Sequence, residues 1–169
     1  AERHERGKPD LIIIHADKDS PRANREGWHS GVSCDIEPPM GSILYIKTCP
    51  PKGGDTLFAS MYAASDALSD GLKHTLGTMR GVHSSRHVFG VKRGDLEGRI
   101  GNYEAATQDA VHPVVITHPE SGRKALYVNP GFTTGFEGWT QDESRPLLEY
   151  LYRHAARPGR ARPRGAAPR

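Results

Sequence analysis

The chain has 169 residues, 23 of them Lys or Arg against 20 Asp or Glu, giving a formal charge of +3; this size favours one domain able to bury a real core. Its longest aliphatic run is Leu11-Ile12-Ile13-Ile14, far below the ~20 apolar residues of a membrane span, and no charged start leads into an apolar leader. Cys34 and Cys49 form neither a CxxC pair nor a disulfide framework, so membrane, collagenous and disulfide-stapled classes are excluded and a cytoplasmic setting is expected.

Residues 11–15 read as a buried strand, followed by a polar loop over 16–26. Residues 41–47, Gly-Ser-Ile-Leu-Tyr-Ile-Lys, form a second strand candidate bounded by Pro38-Pro39 and Pro50-Pro51. Gly53-Gly54-Asp55-Thr56 turns into a helical pair over 60–67 and 69–76, with Ser69 and Asp70 as an N-cap signal. A mobile glycine-rich loop is expected over 87–101. Strands at 111–117 and 123–128 flank the turn His118-Pro-Glu-Ser-Gly122. Leu147, Leu148, Leu151 and Tyr152 have helical spacing within 142–156, and Asp142 and Glu143 suit the N-terminal end of that helix. The pattern is α+β with a mainly antiparallel sheet.

Five arginines lie in residues 157–169, and without them the charge of +3 becomes −2. The basic total is therefore a property of the tail, and nucleic acid is not an expected partner. Residues 159–169 contain only Arg, Pro, Gly and Ala, which predicts a disordered tail after a domain over 1–158. Histidines need the same weighing. His83 and His87 are four apart in a polar Ser-Arg stretch and read as surface residues. His112 and His118, each before a proline, read as strand-end residues.

Several longer blocks carry a resemblance. They are Trp28-His29-Ser30-Gly31-Val32, then Glu37-Pro38-Pro39-Met40-Gly41-Ser42-Ile43-Leu44, then Gly53-Gly54-Asp55-Thr56-Leu57-Phe58-Ala59-Ser60-Met61-Tyr62-Ala63-Ala64. His112-Pro-Val-Val-Ile-Thr-His-Pro119 and Tyr127-Val-Asn-Pro-Gly-Phe-Thr-Thr134 complete the set. In order and spacing, from about residue 11 to 158, the chain resembles the taurine dioxygenase (TauD/TfdA) family of Fe(II)- and 2-oxoglutarate-dependent oxygenases. The resemblance implies a double-stranded β-helix, or jelly-roll, core with flanking helices, incomplete at the C-terminus. It implies Fe(II), 2-oxoglutarate as co-substrate, O2, and a small sulfonate or carboxylate that is hydroxylated with release of succinate and CO2. Such chemistry uses two histidines and one carboxylate on one face of the metal, leaving the other positions open.

By resemblance, His29 is the first iron ligand, Thr56 hydrogen-bonds a 2-oxoglutarate carboxylate, and Trp28 and Phe132 lie near the substrate pocket. Gly31 stands where the family's His-X-Asp motif places its carboxylate, and the nearby Asp35 is not expected to replace it. After His154-Ala-Ala-Arg-Pro158, where the family continues to a second iron histidine and a 2-oxoglutarate arginine, the Arg/Pro/Gly/Ala tail begins. One of three protein ligands is thus recognisable. The leading expectation is an oxygenase by descent. A non-catalytic fragment or interaction module, associating through open sheet edges, is the alternative. A halogenase, with chloride in the site vacated at Gly31, is the minor one.

Overall fold

The computed structural model describes residues 2–5, 8–14, 27–48, 56–86, 109–159 and 161–164. The predicted loops at 16–26 and 87–101, the turn residues Gly53, Gly54 and Asp55, and His87 and Cys49 lie outside these. The first strands, β1 (Glu2–Glu5) and β2 (Lys8–Ile14), pair antiparallel, and most of the strand expected at 11–15 falls within β2.

After β3 (Thr56–Ala59), two serines start the helical pair. Ser60 Oγ accepts the Ala63 N–H and caps α1 (Met61–Asp66), and Ser69 Oγ accepts the Leu72 N–H and caps α2 (Asp70–Gly77). Each satisfies a backbone donor that the first helical turn leaves open. Then come β4 (Arg80–Ser84), β5 (Asp109–Pro113), β6 (Val115–Thr117), β7 (Lys124–Leu126), β8 (Thr133–Phe136), α3 (Gln141–Ala155) and β9 (Ala161–Arg164).

The strand predicted over 111–117 is split at Val114, because Pro113 has no N–H to continue a ladder. Val114 instead turns inward: its N–H donates to Met79 O at 3.0 Å and its carbonyl accepts the Tyr127 N–H at 2.7 Å. The break lets β5 join a sheet of order β5-β4-β8 while β6 pairs with β7. Every described strand pair is antiparallel, as expected. The described sheets are separate pieces of two or three strands within an α+β arrangement.

The core lies between this sheet and the helices. Ala64 and Leu68, Leu76 at α2, Val114, Leu126, Val128, Phe136, and Leu148 and Leu151 of α3 form one buried cluster. A capping box fixes the start of α3: Thr140 Oγ1 accepts the Glu143 N–H, and Glu143 Oε2 accepts the Thr140 N–H at 2.8 Å. That hydrogen bond, with one from the Thr140 hydroxyl, holds the Glu143 carboxyl below its ordinary range. Thr140→Ala is expected to cost about 1 kcal/mol, read as a lower denaturant midpoint with an unchanged slope.

Two expectations are corrected. Residues 41–47 form no strand and pair with no described strand, and Ile43 is 99% and Tyr45 80% exposed. Strand-forming residues need a neighbour's backbone groups as much as intrinsic preference, and none of the described strands pairs with them. Conversely, the tail expected to be disordered supplies β9, which pairs antiparallel with β3 from Thr56↔Arg164 to Ala59↔Ala161. Pairing requires only backbone groups on an available edge, which is why an Arg/Pro/Ala composition did not reveal it.

Candidate active-site pocket

A cavity of about 310 Å³ opens between the segment Trp28–Gly31, strand β3, the turn at Val128–Pro130 and the C-terminal end of α3 at Tyr152 and Ala155. Three of the residues singled out from sequence, Trp28, His29 and Thr56, line it together, and Gly31 does as well. Phe132 does not. It is buried, its N–H donates to Asn129 Oδ1 at 2.9 Å and its carbonyl accepts the Ser84 N–H at 2.8 Å. An aromatic beside a pocket motif thus serves here to pack behind the wall.

His29 is oriented by its own loop, with Nδ1 3.0 Å from Gly27 O. A carbonyl only accepts, so Nδ1 carries the proton and Nε2 keeps its lone pair. The opposite side of the ring's backbone is set by the Asn129-Pro130-Gly131 turn. Gly131 N–H donates to Trp28 O at 3.1 Å, and a Cβ on Gly131 would lie 2.6 Å from His29 Cβ. Only glycine permits that approach. By contrast, a Cβ at Gly31 would meet nothing within 4 Å, so the position has room for a side chain that the sequence does not supply.

Tyr152 closes one side. Its hydroxyl donates to Thr133 O at 2.8 Å, and burial pushes it up to about 12, so it remains a neutral phenol at neutral pH. Asp35 is not among the residues lining the cavity.

Behind the wall lies a buried polar cluster that sequence reasoning missed. His83, read from sequence as a surface residue, sits on β4 and is 0% exposed. Its ring stacks on Tyr127 at 5.4 Å and meets His112 edge-on at 5.3 Å. His112 Nε2 in turn donates to Asp35 O at 2.9 Å. Burial, and next the His112 ring, pull His83 down to about 4, against an opposing pull from the Tyr127 backbone. Cys34 is buried beside them, its thiol pushed up by burial and then by Asp35, which keeps it protonated. His83's alternation with Val82 on a strand was the available signal; a helical i, i+4 reading with His87 hid it.

The donor set decides what the pocket can hold. Among the described residues no group of three or more His, Cys, Asp or Glu is placed to hold a metal ion, and His29 is the one imidazole lining the cavity. A facial triad of two histidines and a carboxylate therefore does not fit the described residues. The Thr56 hydroxyl, also on the wall, is a donor and acceptor suited to a carboxylate.

Comparison with known proteins gives the relationship. Residues 3–163 match the family described as taurine catabolism dioxygenase TauD, TfdA family. An alpha-ketoglutarate-dependent sulfonate dioxygenase of Saccharomyces cerevisiae is 32% identical over 157 residues, covering 88% of this chain and 37% of that protein. An alpha-ketoglutarate-dependent 2,4-dichlorophenoxyacetate dioxygenase of Burkholderia is 35% identical over 135 residues, covering 78% of this chain and 43% of that one. The crystal structure of a taurine dioxygenase from Burkholderia xenovorans superposes with a TM-score of 0.74 at 32% identity, over 95% of this chain and 52% of the other. The chain thus spans about half or less of the length of these relatives. With a match running almost from end to end, the chain belongs to the TauD, TfdA family of taurine catabolism dioxygenases.

Proposed function

We propose that this chain is part of a 2-oxoglutarate- and Fe(II)-dependent dioxygenase that hydroxylates a small sulfonate or carboxylate, releasing succinate and CO2, in the cytoplasm. The observation that carries the reading is the convergence of Trp28, His29, Gly31 and Thr56 on one cavity of about 310 Å³, within a family match over residues 3–163. In this reading His29 offers its free Nε2 to iron, Thr56 hydrogen-bonds a 2-oxoglutarate carboxylate, and Trp28 lies against the substrate. The relatives named for sulfonate and 2,4-dichlorophenoxyacetate substrates support an organic anion as the class.

A single imidazole out of three protein donors would hold iron weakly. What the chain's own residues supply is a cavity wall. Its imidazole is oriented by Gly27 O, and Thr56, Trp28 and Val128 line the same hollow, which is of the size that takes small molecules. The chloride-dependent halogenase reading of Gly31 has no support: the relatives named above are dioxygenases, and a halogenase would still need the second imidazole.

A second reading, a non-catalytic module that associates through exposed strands, is favoured by the unpaired apolar segment containing Met40 at 88% and Ile43 at 99% exposure. Anaerobic titration with Fe(II) and 2-oxoglutarate separates the two. This chain alone is expected to show no metal-to-ligand charge-transfer band. Gly31→Asp, for which there is room, is expected to strengthen metal binding yet give no succinate, because a second imidazole is still missing. Succinate formation by that single variant would overturn the account of the ligand set. An unchanged metal affinity would remove residue 31 from the site and favour the second reading.

A further inference from the structure

The wall that carries His29 has little regular structure to hold it. Among the described residues, 27–48 contain turns and bends but no strand or helix. Its position must come from particular side-chain bonds, and three fully or almost fully buried polar residues supply them: Ser33 at 0%, His83 at 0% and Asn129 at 4% exposure.

One fixed donor orients the Asn129 amide. Phe132 N–H donates to Asn129 Oδ1 at 2.9 Å, which assigns the amide, because a backbone N–H requires an acceptor. Asn129 Nδ2 then faces Ser33 Oγ at 3.1 Å and donates to it. Ser33 Oγ lies 3.0 Å from His83 Nδ1, and the imidazole tautomer sets which of the two donates. The hydrogen bonds run Asn129–Ser33–His83 and tie the His29 loop to strand β4 and to the turn before β8. Asn129 belongs to both sides: it also lines the cavity and accepts no substitute for its two-ended amide at that point. Its backbone N–H, donated to Thr133 Oγ1 at 2.9 Å, anchors it independently of the side chain.

We propose that Asn129, Ser33 and His83 are positioning residues that set where Trp28, His29 and Gly31 stand in the pocket. This rests on reading that cavity as the site. None of the three needs to touch iron or substrate. A buried set of hydrogen bonds holds a loop in one arrangement because breaking it leaves the Ser33 hydroxyl and the Asn129 amide unpaired in the interior.

Amide hydrogen exchange provides the test, since two N–H groups report on the wall. Gly131 donates to Trp28 O and Asp35 donates to Val32 O, each at 3.1 Å, whereas Ser144 in α3 donates to Thr140 O at 3.0 Å and serves as the reference. Ser33→Ala, which removes the hydroxyl with little change in volume, is expected to speed exchange at Gly131 and Asp35 about tenfold while leaving Ser144 unchanged. Asn129→Asp, which turns the donating end into an acceptor, should do the same. His83→Asn keeps an acceptor near the Nδ1 position and is expected to retain slow exchange; His83→Leu is not. In a Trp139→Phe background, acrylamide quenching of Trp28 should rise in the same variants that exchange faster. Equal acceleration at Ser144 would make the triad a general stability element and overturn the proposal, as would unchanged exchange at Gly131. If exchange responds as expected but Fe(II) and 2-oxoglutarate do not bind, the positioning stands and the functional reading falls.

Discussion

Replacing Gly131 by alanine is expected to destabilise the protein by about 3 kcal/mol, the upper part of the usual overpacking range, and to displace the His29 wall. The added Cβ would lie 2.6 Å from His29 Cβ, 3.1 Å from Asn129 Oδ1 and 3.3 Å from Trp28 O. None of these can be relieved by rotating a flexible side-chain end. Two are a Cβ and a carbonyl fixed to the 28–29 backbone, and the third belongs to an amide held by Phe132. The chain must therefore move, at the cost of the Gly131 to Trp28 hydrogen bond. Gly31→Ala is the matched control: the same added methyl meets nothing within 4 Å and should stay within about 0.5 kcal/mol of the parent. Denaturant midpoints of the two variants, with Trp28 emission in a Trp139→Phe background, check this. Equal stability would show that the turn does not press on the wall, and the tight approach of the two segments would have to be abandoned.

Sequence reasoning reached parts of this site for reasons that can be stated. Ser69 announced α2 because capping chemistry is local, and the spacing of Leu147, Leu148 and Leu151 announced α3. Trp28, His29 and Thr56 came through the resemblance of long blocks, and they line one cavity. What was illegible is what depends on distant partners. Residues 41–47 carry a strand pattern but find no described neighbour, while Ala161–Arg164 carry none and form β9 on the edge of β3. The resemblance puts Phe132 near the substrate pocket, yet Asn129 is among the residues lining the cavity while Phe132 is buried and is not. His83 and Ser33 are 50 residues apart, and no local pattern joins them. Burial of a histidine on a short Gly- and Ser-rich strand is a tertiary decision.

That buried histidine makes the fold sensitive to acid. His83 is held near 4, below its ordinary value of 6.5, because burial and then the His112 ring disfavour its charged form. In the unfolded chain it titrates normally, so below pH 6.5 the unfolded state binds the additional proton. The stabilising contribution is therefore complete above pH 6.5 and is lost progressively as pH falls toward 4. A shift of this size corresponds to roughly 3 kcal/mol, against a total stability of about 5–15 kcal/mol for ordinary domains, so it is large enough to set the acid limit. The titratable side chains packed on His83 are His112 and Tyr127, with Cys34 and Asp35 acting on Tyr127. The phenol and thiol are pushed upward and do not ionise in acid, and the other two are present alike in parent and variant. His83→Asn is accordingly expected to flatten the loss of stability between pH 6.5 and 4.5 by about 2–3 kcal/mol relative to the parent, while differing less from it at pH 4. Urea midpoints across that range measure the difference directly. Parallel curves for the two proteins would mean that His83 is not the group that makes this fold labile in acid.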